Sequence, residues 1–218
     1  MTRSTAVSTL RRTRVQVVGG MLSVVLGVGM PRAAVAGLSF TELQRDAVSG
    51  VKGLTGVRAV AVSPDGAHVY AAAIGDDTVA VFRRDAATGG LTFVERQRDG
   101  EDGGDGLNRA RGVTVSPDGA HVYVTSAGDN AVAVFARSAA TGRLTFVEAE
   151  LDGRGGVSGL AGAYGVAVSP DGAQVYVASA DGNSVVVFTR NAVAGDSASS
   201  SASRTARVAS SASAPRAP

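Results

Sequence analysis

The stretch SPDGAHVY occupies Ser63–Tyr70, returns letter for letter at Ser116–Tyr123, and returns again as SPDGAQVY at Ser169–Tyr176. Both intervals are 53 residues. Proline presets φ at the second position of a tight turn, aspartate bonds to its own backbone, and glycine accepts positive φ. The residues on either side alternate apolar and polar with period two, which marks half-buried strands. The octapeptide therefore reads as a turn joining two antiparallel strands.

The period extends over the whole body of the chain, from Leu38 to Gly195. LSFTE (38–42), LTFVE (91–95) and LTFVE (144–148) are spaced by 53, as are TVAVF (78–82), AVAVF (131–135) and SVVVF (184–188). All six Phe fall at two repeat positions and three of the four Tyr at one, which assigns the aromatics to framework between stacked sheets. Each repeat reads as four short strands separated by turn residues, and four strands in about 40–50 residues is the signature of a β-propeller blade. The fold class is all-β: blades of four antiparallel strands in a 53-residue repeat.

At these residues the chain resembles the lactonase-like propellers with YVTN-type repeats, whose blades run S-P-D-G-x-x-V-Y-V, then V-x-V-F, then G-x-L-T-F-V. Repeats marked by a tryptophan–aspartate pair fit less well, because the sequence has no Trp. With strands named A to D from the channel outward, the chain opens on a D strand (Leu38–Gln44) and continues A-B-C-D, A-B-C-D, A-B-C. That order resembles the strand-swapped closure of propellers. Rings close with four to eight blades, so three repeats (38–90, 91–143 and 144–195) make an incomplete ring with open strand edges. Such edges invite self-association.

Residues 1–36 carry Arg3, Arg11, Arg12 and Arg14, then the apolar run Val15–Met30, then an Ala-x-Ala pattern at Ala34–Ala36. This is the layout of a secretory signal peptide cleaved after Ala36. A membrane anchor is the competing reading, but the run is short and broken by glycine against the ~20 residues a span requires. Arg11-Arg12 hints at twin-arginine export. The expected location is therefore periplasmic or extracellular. One Lys against 20 Arg, with many Ala, Gly and Val, suggests a GC-rich bacterial genome. The formal charge of +2 hides an asymmetry: five of the 21 basic residues and none of the 19 acids lie in the leader, so the mature chain is 16 − 19 = −3. A nucleic-acid partner is not expected. Cysteine is absent, which excludes disulfides and thiolate chemistry.

After Gly195 the period demands another LTFVE, yet DSASSSASRTARVASSASAPRAP follows at 196–218. It reads as a disordered Ser/Ala-rich tail. Back-translated with GC-rich codons and shifted by two bases, its first part spells LSFVERLADGAGG, which matches LTFVEAELDGRGG at Leu144–Gly156. A frameshift near Gly195 in a longer propeller gene explains that match, and the genomic DNA tests it.

The residues that could bind a ligand are Arg58, Arg111 and Tyr164, which are repeat-equivalent and start strand A, the strand lining a propeller channel. The resemblance implies an Arg here, in a motif like G-P-R-H-x-x-x-S/H-P-D-G, able to clamp a carboxylate or phosphate. Arg58 and Arg111 match that Arg. The His after it is replaced by Ala59, Gly112 and Gly165. His68 and His121 are matched by Gln174 in the third copy, which argues for a place at the blade surface rather than a shared catalytic base. The acidic loop with Asp99, Glu101, Asp102 and Asp105 lacks EF-hand spacing and reads as a solvated turn, so no metal is expected. No nucleophile elbow, phosphate loop or dinucleotide fingerprint is present, so no cofactor and no catalytic residue is assigned. The expected function is an exported binding or scaffold propeller with a small ligand or protein partner. The alternatives are a lactonase-type hydrolase or cyclase in a full-length form, as the resemblance implies, and a non-functional fragment.

Overall fold

The computed structural model describes residues 38–101, 103–191 and 207–209. The expected leader at 1–36 and most of the tail at 196–218 lie outside the described residues. The first blade is β1 (Val57–Val62), β2 (His68–Ala73), β3 (Thr78–Arg84) and β4 (Leu91–Arg98). The second is β5 (Ala110–Val115), β6 (His121–Ser126), β7 (Ala131–Arg137) and β8 (Leu144–Leu151). The third is β9 (Ala163–Val168), β10 (Gln174–Ser179), β11 (Ser184–Thr189) and β12 (Arg207–Ala209). Each is a separate antiparallel meander in chain order, so the repeat is a set of blades in an unclosed array.

The octapeptide turn is built the same way three times. Asp65 Oδ1 accepts from the Ser63 hydroxyl and the Ala67 amide at 3.0 Å, and the Ser63 hydroxyl oxygen accepts the His68 amide at 3.0 Å. Gly66 takes φ of 69°. Asp118 and Asp171 repeat these bonds with Ser116 and Ser169. Across the outer strands Phe82 meets Phe93, and Phe135 meets Phe146, edge to face with centroids 5.7 Å apart.

Two sequence expectations change at the ends. Residues 38–45 form no strand, because a strand needs a neighbour and the expected first D strand has no C strand beside it. Phe40 is accordingly 85% exposed, unlike Phe93 and Phe146. Glu42 and Gln44 nevertheless grip Leu91, accepting its amide at 2.6 Å and donating to its carbonyl at 3.0 Å. Glu95 and Gln97 grip Leu144 in the same manner at 2.8 and 3.2 Å. At the other end, the sequence leaves the third blade without its outer strand, and β12 takes that edge. It pairs only Val185–Val187 and joins Val185 to Ala209. Repeat register (Val132 with Glu150, plus 53) would join Val185 to residue 203, six earlier.

What joins blade to blade is a buried arginine. Arg137, at the end of β7, donates from Nε to the Tyr70 hydroxyl at 2.8 Å, from Nη1 to its own blade's Gly119 carbonyl at 3.0 Å, and from Nη2 to Asp65 at 2.6 Å and His68 Nδ1 at 2.9 Å. Arg190 repeats all four contacts on Tyr123, Gly172, Asp118 and His121. The octapeptide of one blade is thus the socket for an arginine of the next. His68 and His121 are buried, which corrects the expectation of surface histidines. A glutamine can stand in their place because its amide oxygen also accepts an N–H, not because the position faces water. Gly142 fits against the His68 ring, where a Cβ would lie 2.2 Å from the imidazole.

These sockets shift the ionisable groups. The Ser63 hydroxyl, the Ala67 amide and Arg137 hold the Asp65 carboxyl far below its usual range. Burial pushes Asp118 up, but bonds from Ser116, Ala120 and Arg190 outweigh it and bring it to about 2. Burial first, then the charge of Arg137 or Arg190, lowers the pKa of His68 and His121. The fold therefore keeps both imidazoles neutral, whereas the unfolded chain protonates them below about pH 6.5. Stability from this source is present above that pH and is lost as pH falls through it. The thermal midpoint should fall between about pH 7.5 and about pH 5.5, and the double variant His68→Gln/His121→Gln should flatten that slope in calorimetry.

Candidate functional site at the inner strands

The inner strands stand side by side, β1 next to β5 and β5 next to β9. Each pairs with its neighbour in the blade through one irregularity, and the irregularity falls on the same residue each time. Val57 pairs with Ala73 and Ala59 with Ala72, leaving Arg58 as the extra residue of a β-bulge. Arg111 is extra between Ala110 and Gly112, and Tyr164 between Ala163 and Gly165. Bulges re-aim a side chain and recur beside binding sites. On the inner strands, the three candidate residues are thus the ones whose direction the sheet does not set.

The structure brings two of them together. The Arg111 guanidinium carbon lies over the Tyr164 ring, 4.9 Å from its centroid, in a cation–π contact. Arg111 Nε is buried and bonds to nothing among the described residues. Arg58 is exposed, and no hydrogen bond ties it down among the described residues.

The backbone beneath is fixed across blades. Thr125 donates its hydroxyl to the Tyr164 carbonyl at 2.7 Å and accepts the Gly112 amide at 2.9 Å. Gly112 sits so close that a Cβ would lie 2.4 Å from the Tyr164 carbonyl oxygen. A histidine, which the resemblance would place here, has no room in this blade. No sequence signal announced that constraint beyond the glycine itself.

Turn residues do more than shape turns. Asp77 and Asn130 take left-handed φ of 57° and 52°, which aims their side chains at the next blade. Asp77 accepts the Arg109 amide at 2.6 Å and Asn130 the Gly162 amide at 2.8 Å. In the acidic loop Asp99, Asp105 and Asp129 place carboxylate oxygens within 4.8 Å of one another. Asp99 and Asp129 are occupied by the Leu107 and Asn108 amides, both at 2.9 Å. Burial, and then the charges of Asp99 and Asp105, push the Asp129 carboxyl up. The equivalent Asp46 and Asp152 also hold loop amides, at 3.0 Å, so the shared duty of this position is to tie down the loop.

A family model described as "Lactonase, 7-bladed beta-propeller" matches residues 28–160 and 97–210. The chain belongs to this lactonase propeller family. Among solved structures, the family member is similar to the periplasmic gluconolactonase of Pseudomonas aeruginosa at 28% identity and a TM-score of 0.54, covering 65% of this chain and 38% of that one. A candidate 6-phosphogluconolactonase from Bacteroides fragilis matches at 23% identity and 0.55, covering 72% and 39%. One from Bacteroides uniformis matches at 23% and 0.54, covering 67% and 39%. The chain thus spans about two fifths of the length of these structures. No curated protein matches it in sequence.

Gly112→Ala should force β9 away from β5 and separate Arg111 from Tyr164. The expected cost is roughly 1–3 kcal/mol for overpacking against backbone, read as a lower urea midpoint. Gly165→Ala, whose Cβ would meet only the Ala178 Cβ at 3.7 Å, should be nearly neutral.

Proposed function

We propose that the chain is an exported binding module whose inner-strand bulges take a small anionic ligand, a carboxylate or a phosphate ester. One observation carries this reading: Arg111 is braced over Tyr164 with a buried Nε that has no partner among the described residues, and an untethered Arg58 starts the neighbouring inner strand. A guanidinium presents paired donors that match carboxylate or phosphate oxygens. Isothermal titration with gluconate and with 6-phosphogluconate tests it. Binding should weaken at least tenfold in Arg111→Ala, and Arg111→Lys should not restore it, because an ammonium lacks the planar fork. Equal affinity in all variants would remove the reading.

Family membership favours a second reading, lactone hydrolysis by a complete ring, in keeping with the gluconolactonase names of the solved neighbours. Both histidines are enclosed between blades and unavailable as bases at the bulges. Hydrolysis of a gluconolactone above the spontaneous rate by this chain, lost in Arg111→Ala, would promote it over simple binding.

The export part rests on the composition of residues 1–36 and on the periplasmic neighbour. No helix among the described residues is long and apolar enough to cross a membrane. Mass spectrometry of the protein recovered from a periplasmic fraction should show an N-terminus at Gly37.

A further inference from the structure

The two end blades present complementary halves of the interface that joins the blades within the chain. On the third blade the socket is present but unfilled. Asp171 is held by the Ser169 hydroxyl and by the Ala173 amide at 3.0 Å, as Asp65 and Asp118 are, yet no arginine reaches it among the described residues. Tyr176 is 40% exposed, whereas its counterparts Tyr70 and Tyr123 are buried under Arg137 and Arg190. Asn183 keeps the left-handed φ of Asp77 and Asn130, at 48°, and is exposed. An open depression of about 530 Å³ on this face is lined by Tyr164, Ser179, Asn183 and Val185.

On the first blade the donors are present and unspent. Arg84 is the 53-residue counterpart of Arg137 and Arg190. It makes the bond to its own turn, Nη1 to the Gly66 carbonyl at 3.2 Å, which in the other two accompanies docking. Its Nε and Nη2 have no acceptor among the described residues. Phe40 is the counterpart of Phe93 and Phe146, which stack on Phe82 and Phe135. It points into solvent, while Phe188, the third member of the other series, has no such aromatic partner among the described residues. Glu42 and Gln44 already anchor the Phe40 segment to β4.

We propose that the exposed face of the third blade binds the first blade of a second copy of this chain, head to tail. Arg84 of the incoming copy enters the Asp171–Gln174–Tyr176 socket, its Gly56 amide reaches Asn183, and its residues 40–44 run along β11 with Phe40 on Phe188. The three pairs made by β12 yield to that segment. Acceptors on one face and donors on the other make the contact heterologous, so it continues into a ring if the rotation closes and into a filament if it does not. The proposal does not require ligand binding at the bulges, although Tyr164 borders both surfaces.

Sedimentation velocity of the purified chain over a range of concentrations tests it. The expected result is concentration-dependent assembly that weakens at least tenfold in Asp171→Arg and in Arg84→Asp, each with an unchanged far-ultraviolet circular dichroism spectrum. Mixing these two variants should restore one contact per pair, because the intact Arg84 of the Asp171→Arg copy then meets the intact Asp171 of the Arg84→Asp copy. Should Arg84→Asp fail to fold, Tyr176→Ala and Asp171→Asn on the exposed socket report the same contact. A monomer at hundreds of micromolar overturns the proposal. So does assembly that persists unchanged in the single variants, which would place the contact on another sheet edge.

Discussion

Everything in the array depends on burying a guanidinium between blades. An arginine removed from water costs several kcal/mol unless each face of its charge is met. The structure meets it with a carboxylate, a phenol, an imidazole and a carbonyl, three of them from the preceding blade. The carboxylate itself stays about two-fifths exposed while the guanidinium is almost wholly enclosed. Water therefore keeps solvating the anion, and the desolvation penalty falls mainly on one partner. A surface ion pair of the same length would contribute little. Here the pair fixes the register of one four-stranded sheet upon the next, because only one arrangement supplies all four acceptors.

That register carries the candidate site. Arg111 belongs to the second blade and Tyr164 to the third, so their stacking exists only while the blades stay docked. Thr125 reinforces the alignment by bonding to backbone on both sides of the seam. The Arg190 socket at the outside and the Thr125 bridge at the inside thus hold the same two blades at separate points, and rotation between them would break both.

The local parts of this design were legible in the sequence. Strand alternation and the Ser-Pro-Asp-Gly turn depend on neighbours within a few residues, and the structure bears them out except at residues 38–44, which have no C strand beside them and form no strand. The aromatic framework was legible where a blade stands on each side, and it failed at Phe40 and Tyr176, which lie on end faces. The sockets were not legible, since Arg137 meets Asp65 across 72 residues and nothing local marks it as buried. Spacing was the available signal: Arg84, Arg137 and Arg190 recur at 53, as regularly as the octapeptide. For the site, periodicity located Arg58, Arg111 and Tyr164, but the bulges that free their direction arise from pairing geometry. The prohibition on a side chain at Gly112 arises from a neighbouring blade's carbonyl.

The left-handed turn residues Asp77, Asn130 and Asn183 give every blade an inherent sense, reaching forward and never back. Because the arginine socket is built from the same groups at both seams within the chain, the socket cannot distinguish its position in the series. Recognition between blades is consequently blind to number: a repeat gained or lost as a whole leaves the remaining seams chemically satisfied. The count at which such an array stops is then a matter of curvature, decided by the angle each blade turns from the last rather than by any residue that says where the circle ends.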